Sequence, residues 1–195
     1  MKLRKIVVVC AANAFRSPSI DACIGGRLDQ LGSDLESLGR GVKAKYYSDM
    51  IAGKNGIPEK YVDGALARAV SSPGNYSENI RNMMDEKVDE QTLARHILAE
   101  ERHMYSIIIE RFCDETGLPY PSGYHQQLLE SDLKQAHIIV ASDKEKELID
   151  LPEEKMTVLG INDVLGGTYK AKKPVLEEIK QAVDEMIPKI IEKYS

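Results

Sequence analysis

The sequence predicts an α/β fold in which helices cover both faces of a parallel sheet. Short apolar runs rich in β-branched residues alternate with longer amphipathic segments, the pattern of repeated strand–helix units. With 195 residues, of which 43% are hydrophobic, the chain is long enough to bury a full core as one domain over residues 1–195. In such sheets, functional residues gather at the carboxyl ends of the strands.

The first half of the chain predicts two strands and two helices. Residues 5–9 form a β-branched run typical of a strand buried on both faces. A helix is predicted from about residue 18 to 31, with Ser17 as its N-cap and Pro18 at its first helical position. A second strand is predicted over residues 43–49 and a short helix over residues 61–70.

The second half begins with a charged segment, residues 78–115, whose apolar spacing predicts amphipathic helices that could form a hairpin. Beyond it, the pattern predicts a short helix, a strand, a short helix and a strand, over residues 131–136, 137–141, 143–149 and 156–159. A final helix over residues 174–194 is expected to kink at Pro188.

Composition narrows the class of protein. Three scattered cysteines, Cys10, Cys23 and Cys113, predict neither a disulfide framework nor a zinc site, and free thiols indicate a reducing, cytoplasmic compartment. His96 and His103 favour a solvated helix face over a metal site, so we expect no metal and no cofactor. No apolar stretch approaches the length of a membrane span, and a net charge of −5 without a basic stripe gives no basis for nucleic-acid binding.

One short segment carries the chemistry. Cys10 and Arg16 are separated by five residues in a loop between the first predicted strand and helix. Such a loop aims backbone N–H groups at one point and forms a nest for an anion, while its positive field favours the thiolate of a cysteine at its base. Arg16 can bind two phosphate oxygens through its planar fork, and Ser17 can donate a hydrogen bond to the sulfur.

The alternative is that Cys10 is a buried thiol that ends a core strand and that Arg16 lies on the surface. A cation near the start of a helix is unfavourable unless an anion binds there, so the functional interpretation is preferred. A Walker-type loop is excluded, because no Gly-rich stretch ends in Gly-Lys-Ser/Thr.

The segment VVVCAANAFRSPSID resembles the N-terminal signature of the low-molecular-weight protein-tyrosine phosphatases. This resemblance implies a three-layer sandwich with a central four-stranded parallel sheet and a phosphatase that needs no metal. It makes Cys10 the nucleophile and Arg16 the phosphate clamp. The remaining loop and support residues that it implies are Ala11, Ala12, Asn13, Ala14, Phe15 and Ser17.

Three further segments resemble the same family. LGINDVLGGTY falls where the family carries its general acid, which makes Asp163 the candidate acid, although Val164 stands where proline is expected. Tyr47-Ser48-Asp49 and the GYHQQL segment imply that Ser48 and His125 support Asn13 in a left-handed conformation. From residue type alone, Ser48 would be an ordinary strand-end hydroxyl and His125 a surface loop residue.

The resemblance implies hydrolysis of a phosphomonoester, protein phosphotyrosine above all, through a phosphocysteine intermediate. The partners would be a phosphorylated protein or a small phosphoester, with inorganic phosphate as product. Ala12 replaces a usual glycine, Phe15 replaces a frequent second cysteine, and the loop after Ser48 lacks the aromatic residue that often flanks a phosphotyrosine ring, so phosphoarginine or a small phosphoester stays open. The rival functions are arsenate reduction on the same loop, for which Cys113 lacks a paired cysteine, and non-catalytic binding of an anion or partner.

The resemblance covers about residues 5–70 and 117–195 and is interrupted at about 76–116, which has no counterpart in the family. We expect this helical insertion to pack either beside the site or across a subunit interface, where it would support a homodimer.

Overall fold

Four parallel strands form the centre of the fold. The computed structural model describes residues 3–162 and 166–194. The strands are β1 (Lys5–Cys10), β2 (Glu36–Gly41), β3 (Ala136–Val140) and β4 (Met156–Val158). Their order in the sheet is β2-β1-β3-β4, and each neighbouring pair is parallel, as the fold class requires.

Seven α-helices accompany the sheet in the described part of the chain. They are α1 (Arg16–Gln30), α2 (Ala44–Ile51), α3 (Glu59–Ser71), α4 (Glu78–Asp85), α5 (Glu90–Thr116), α6 (Asp143–Lys146) and α7 (Tyr169–Tyr194). Short 3₁₀ helices lie at Pro73–Asn75, Glu130–Leu133 and Glu153–Lys155. Over residues 3–162 and 166–194, no helix is both long and apolar enough to cross a bilayer.

The central strand β1 is buried on both faces because its side chains alternate between two cores. Ile6, Val8 and Cys10 join a core built with α1, α5 and α7. Val7 and Val9 face the opposite core, which is closed by shorter elements that include Leu128, Leu133, Ile149 and Leu151. Residues 6–9 have no exposed surface, so the loop that follows β1 begins from a rigid position.

A third core lies within the helices between β2 and β3. It joins α2, α3, α4 and α5 through Met50, Val62, Ala65, Ile80, Leu93 and Ile97, among others. The carboxyl half of α5 leaves this core and reaches the sheet core through Tyr105, Ile108 and Phe112. Helix α5 therefore connects the helical segment to the sheet, and the predicted hairpin is formed by α4 and α5. That this segment is an addition to the family's fold stays a prediction, as does a homodimer through it.

The second predicted strand is wrong. Strand β2 is Glu36–Gly41, whereas residues 44–51 form helix α2. Tyr46 and Tyr47 are typical of strands, but Ala44, Tyr47 and Met50 fall on one helical face that packs inward. Residues 36–41 have weak strand propensity, and they form a strand because they pair with β1 along its whole length.

The start of the first helix also differs from the prediction. Helix α1 begins at Arg16 with Phe15 as N-cap and no side-chain capping bond, so Ser17 and Pro18 are its second and third residues. The Ser17 hydroxyl is occupied by the preceding loop, as described below. Helix α7 starts at Tyr169, five residues before the predicted position, and Glu130–Leu133 is a 3₁₀ helix where an α-helix is predicted.

A buried histidine links the sheet to the last helix. His137 in β3 is 1% exposed. Its Nδ1 lies 3.0 Å from the Tyr194 hydroxyl and its Nε2 lies 2.9 Å from the Thr157 hydroxyl. Burial lowers the pKa of His137 to about 4, with a smaller contribution from the charge of Lys193, so the ring is neutral in the folded protein at neutral pH.

Stability should therefore fall as the pH decreases from about 7 to about 4. The unfolded chain binds a proton at His137 near a pKa of about 6.5, and the folded protein does not, so this residue costs up to about 1.4 kcal/mol per pH unit within that window. We expect His137→Asn to be less stable at pH 7 and to show a shallower loss on acidification, measured by urea unfolding at several pH values. His103→Asn, at an exposed histidine, should keep the wild-type slope. Equal slopes in all three proteins would contradict the role of His137.

Candidate functional site

The loop of residues 10–16 leaves the carboxyl end of β1 and turns directly into α1. Pairing with the neighbouring chain continues past the strand end, since Val42 N donates to Cys10 O at 3.0 Å and Lys43 N donates to Ala11 O at 2.8 Å. In the described part of the chain, the N–H groups of Ala11, Ala12, Ala14 and Phe15 donate no hydrogen bond. Four N–H donors within one tight loop form a nest for an anion.

The Cys10 thiol lies at the base of this loop and is 3% exposed. Asn13 N donates to Cys10 Sγ at 3.3 Å, and Ser17 Oγ lies 3.1 Å from the same sulfur. Ser17 Oγ also lies 3.0 Å from Arg40 O. Since a hydroxyl has one proton, Ser17 can donate to Arg40 O while Cys10 is a thiol, or to the sulfur when Cys10 is a thiolate. Ser17 can therefore accommodate both forms of the cysteine.

Asn13 holds the loop in its unusual shape. Its φ of 51° is left-handed, a conformation that asparagine tolerates better than most residues. Asn13 Oδ1 accepts from Gln126 N at 3.0 Å, its Nδ2 donates to Ser17 Oγ at 2.9 Å, and its carbonyl accepts from His125 N at 2.8 Å. These bonds tie the loop to the segment that precedes β3 and compensate for the backbone strain.

Two glycines of β2 allow the loop to lie against the strand. A Cβ at Gly41 would be 2.8 Å from Asn13 N and 2.9 Å from Ala11 O. At Gly39, a Cβ would be 3.0 Å from Asn13 Nδ2. Because the neighbours at Gly41 are backbone atoms of the loop, they cannot move aside without changing the nest.

Arg16 points across the carboxyl ends of the strands. Its side chain is buried, and Nη2 pairs with Glu145 Oε1 at 2.8 Å. Nη1 lies 3.3 Å from Ile161 O and 3.5 Å from Ser142 Oγ. Ser142 in turn donates to the other oxygen of the Glu145 carboxylate. The guanidinium is therefore held by residues that follow β3 and β4, and it lies beside the loop as the sequence predicts.

A cavity of about 380 Å³ opens above Cys10, within the size range of ligand sites. One side is the loop itself. The other side comes from α2, α3 and α5 and includes Tyr47, Met50, Ile51, Lys60, Tyr61, Gly64, Arg68, Leu98, Glu101, Arg102 and Tyr105. The Tyr47 and Tyr61 rings meet nearly edge to face at 5.8 Å, with their hydroxyls 2.9 Å apart. Aromatic and aliphatic side chains thus form most of the wall opposite the thiol.

A partly buried ion pair lies in the same wall. Arg68 donates to both oxygens of Glu101, at 2.7 and 2.8 Å, and Tyr76 donates to Oε1 at 2.7 Å. Hydrogen bonding to Glu101 raises the pKa of Arg68, and burial together with the same carboxylate raises the pKa of Tyr76. The Glu101 carboxylate is consequently neutralised by its own neighbours.

Helix α5 also contacts the loop and the segment that follows Asp163. The Phe15 and Tyr105 rings lie 5.6 Å apart, and the Lys172 ammonium lies 4.6 and 5.0 Å from their centroids. The Tyr105 hydroxyl accepts from Gly166 N at 2.8 Å. Helix α5 therefore fixes the position of Phe15 and of the backbone three residues after the candidate acid.

The structure brings most of the predicted site residues together, namely Cys10, Ala11, Ala12, Asn13, Ala14, Phe15, Arg16 and Ser17. The support predicted for Ser48 is wrong. Ser48 lies in α2, donates to Ala44 O at 2.9 Å and accepts from Arg102 at 2.9 Å. His125 supports Asn13 through its backbone N–H, and the role falls to the main chain of residues 125–126. Asp163 and Val164 lie outside the described residues.

The His125 side chain has a separate environment. Its φ is 60°, and its Nδ1 is buried without a hydrogen-bond partner among the residues described. Burial, and then the positive charge of Arg102, lower the pKa of His125 to about 4. The ring is therefore neutral at physiological pH and does not act as a further cation in the site.

The sequence analysis does not predict several residues of the site. Ser142 and Glu145 follow β3 directly, and the rule that ligands gather at the carboxyl ends of strands could have found them. Gln126 acts through its backbone, so no side-chain signal identifies it. Tyr47 falls in the wrongly predicted second strand. Tyr61 begins a predicted helix for which the sequence indicates no link to the site. Over residues 3–162 and 166–194, no cluster of three or more His, Cys, Asp and Glu side chains could hold a metal ion.

Comparison with solved structures identifies the fold. No family model matches the chain, and no curated protein shows significant sequence similarity to it. A low-molecular-weight protein tyrosine phosphatase from T. tengcongensis superposes with a TM-score of 0.56 at 16% identity, over 95% of this chain and 99% of its own. The chain has the fold of the low-molecular-weight protein tyrosine phosphatases.

Two further structures agree. The YwlE arginine phosphatase from Geobacillus stearothermophilus has a TM-score of 0.56 at 15% identity and covers 97% of this chain and 94% of its own. Wzb from Vibrio vulnificus, in complex with benzylphosphonate, also reaches 0.56 at 16% identity, over 96% of this chain and 99% of its own. The fold implied by the sequence resemblance is confirmed.

Gly41→Ala should damage the loop. The added Cβ would overlap backbone atoms of Ala11 and Asn13, so we expect a loss of about 1–3 kcal/mol in the free energy of unfolding, measured with urea. Gly56→Ala is the matched control, because an added Cβ there meets nothing within 4 Å. Equal free energies of unfolding for the two variants would contradict this prediction, because they would show that the loop accommodates the added Cβ without destabilisation.

Glu145→Gln removes the carboxylate charge beside the buried Arg16 and keeps an oxygen acceptor. We expect it to lower the free energy of unfolding by about 1–3 kcal/mol, since the buried guanidinium loses one charged partner. Urea unfolding at constant pH and salt measures the change. Glu147→Gln, at an exposed position next to the same short helix, should change stability by less than about 0.5 kcal/mol. A decrease in the free energy of unfolding no greater than that of the control would show that the Arg16–Glu145 ion pair does not stabilise the fold.

Proposed function

We propose that the protein is a cysteine-dependent phosphatase that hydrolyses a phosphomonoester, with protein phosphotyrosine as the substrate and inorganic phosphate as a product. One observation carries the proposal. The Cys10 sulfur lies at the base of a loop with four undonated N–H groups, next to the Arg16 guanidinium and below a mainly apolar cavity. This arrangement suits a tetrahedral dianion above a sulfur nucleophile.

The reaction has two steps. Cys10 thiolate attacks phosphorus in line, forming a sulfur–phosphorus bond as the bond to the leaving oxygen breaks, and Asp163 gives that oxygen a proton. The Asp163 carboxylate then takes a proton from water, the water oxygen attacks phosphorus, and thiolate and phosphate are released. Loop N–H groups and Arg16 stabilise the equatorial oxygens in both steps. Ser17 can donate to the departing thiolate, given its 3.1 Å distance to the sulfur.

The cavity wall supports an aryl phosphate over phosphoarginine. Tyr47 and Tyr61 contribute aromatic rings to the lining and Leu98 adds aliphatic surface, which suits an aromatic substrate ring. A guanidinium substrate would gain from a free carboxylate. Glu101 is the carboxylate among the described lining residues, and Arg68 and Tyr76 already saturate it. Wzb was solved with benzylphosphonate, which likewise joins an aromatic ring to a phosphorus oxyanion.

Arsenate reduction has less support. It requires further cysteine thiolates that supply electrons to the arsenic bound at the loop cysteine and are themselves oxidised to a disulfide. Burial raises the pKa of Cys23 to about 12 and that of Cys113 to about 11, so both remain thiols at neutral pH.

Cys10→Ser should abolish hydrolysis of p-nitrophenyl phosphate, followed by release of p-nitrophenol. Cys23→Ser and Cys113→Ser are matched controls, because both replace a buried thiol that does not line the cavity, and they should retain turnover. Activity that persists in Cys10→Ser, or that is absent from the wild type, would refute the phosphatase proposal.

Asp163→Asn tests the general acid. We expect kcat to fall by about 10²–10⁴-fold on phenyl phosphate, and by less on p-nitrophenyl phosphate, whose better leaving group needs less protonation. Asp150→Asn, at an exposed site, should change neither rate. An equal loss on both substrates would show that Asp163 does not protonate the leaving group.

A further inference from the structure

Arg102 is a cation in the cavity wall that the proposed two-step reaction does not use. It lies in α5, is partly buried, and lines the same cavity as Cys10. Its Nη2 donates to Ser48 Oγ at 2.9 Å. Ser48 uses its own proton for Ala44 O, so Arg102 meets a neutral acceptor there. A guanidinium has five N–H donors, and this bond uses one of them.

No acid balances the charge of Arg102 within residues 3–162 and 166–194. Glu101, its neighbour on α5, is saturated by Arg68 and Tyr76. Asp49 on α2 is paired with two exposed lysines, Lys45 and Lys54. Burial lowers the pKa of Arg102, whereas hydrogen bonding to its carboxylate raises the pKa of Arg68. Among the described residues, Arg102 is therefore partly desolvated without a counterion.

The described lining of the cavity has a net positive charge, whereas the protein as a whole has a net negative charge. The described lining includes the cations Arg16, Lys60, Arg68 and Arg102 against the single carboxylate of Glu101, in a chain of net charge −5. Arg16 lies beside the loop that would bind one phosphoryl group, and Glu145, which does not line the cavity, already pairs with it. The Arg68–Glu101 pair is neutral, so Arg102 is left, together with the exposed Lys60 at the cavity edge. An excess of positive charge that one phosphate does not use points to a second anion.

We propose that Arg102 binds a second anionic group of the substrate, so that the preferred substrate is a phosphoester with a carboxylate or another phosphate close to the scissile group. This inference rests on the proposed phosphatase function and specifies its substrate class. A planar guanidinium binds a carboxylate or phosphate through two parallel hydrogen bonds, and partial burial strengthens both. In the absence of substrate, the Ser48 hydroxyl keeps the side chain oriented.

The alternative role for Arg102 is structural, as a pin between α5 and α2. If Arg102 only connects the two helices, its substitution should lower stability without making activity depend on the charge of the substrate. If Arg102 binds substrate, the loss of kcat/KM on substitution should depend on whether the substrate has the second anion. Substrate pairs that differ only in that charge separate the two roles.

Two matched pairs of substrates provide the test. The small-molecule pair is 3-carboxyphenyl phosphate and 3-carbamoylphenyl phosphate. The peptide pair has phosphotyrosine next to aspartate in one peptide and next to asparagine in the other. For each pair, the ratio of kcat/KM for the charged over the neutral substrate is measured at low and high salt. We expect the wild type to favour the charged member by about tenfold at low salt in at least one pair, and less at high salt.

Variants assign this preference to Arg102. Arg102→Gln should bring the ratio close to one, and Arg102→Lys should keep part of it, because lysine retains the charge but not the fork. Arg95→Gln is the matched control. Arg95 lies on the same helix, is partly buried, donates to Met50 O at 3.4 Å and does not line the cavity, so its loss should leave the ratio unchanged.

The outcomes separate this inference from the proposed function. A preference in the peptide pair that is lost in Arg102→Gln supports a protein substrate with an acidic neighbour, and a preference confined to the aryl pair supports a small dianionic substrate. A wild-type ratio near one in both pairs, with Cys10-dependent turnover intact, overturns the role of Arg102 and leaves the phosphatase standing. An equal fall of the ratio in Arg95→Gln overturns it as well.

Binding measurements cover the case in which no turnover is found. Isothermal titration of the same four compounds into Cys10→Ser, with and without Arg102→Gln, reports charge preference without chemistry. Tighter binding of the charged members that depends on Arg102 would support the anion site even if hydrolysis is absent. Equal binding of charged and neutral members would overturn it.

Discussion

The site depends on the left-handed backbone of Asn13. This residue has no exposed surface, and its side chain and main chain together bond to Cys10, Ser17, His125 and Gln126. A left-handed residue other than glycine costs about 1–2 kcal/mol, and these bonds outweigh that cost. Because Asn13 turns the chain at this point, N–H groups that donate no hydrogen bond lie on either side of it in the loop, with the sulfur at the base. Glycine at position 41 is a consequence, since the turned loop presses against β2.

The helical segment around α5 gives the loop a chemical environment that the sheet alone could not provide. It has an apolar core of its own. Its contacts with the sheet side include Tyr105, which lies against Phe15 and accepts a hydrogen bond from Gly166. The same helix presents Leu98, Glu101 and Arg102 to the cavity. One helix thus contributes to the wall above the thiol and to the position of the chain that follows Asp163.

Sequence could predict the parts of the site that are encoded locally. The run from β1 through Cys10 to Arg16 combines a buried strand, a tight loop and a helix start, and each has a short-range signal. Strand β2 could not be predicted in the same way, because residues 36–41 form a strand only through pairing with β1. Because residues 43–49 are wrongly predicted as this strand, Ser48 is expected beside Asn13. It lies instead in α2 and accepts a hydrogen bond from Arg102. Glu145 and Arg102 act on residues far from them in sequence, and only the folded chain shows those contacts.

The loop and the opposite wall of the cavity come from different parts of the fold, and this separation has an evolutionary consequence. Cys10, Asn13, Arg16 and Ser17 belong to β1, the loop and α1, whereas Tyr47, Tyr61, Leu98 and Arg102 belong to α2, α3 and α5. Substitutions in the second group can therefore alter which molecules are admitted, while the geometry around the sulfur is inherited unchanged. A lineage with this architecture can acquire a new ligand preference through substitutions on the helix surfaces while the loop keeps its geometry.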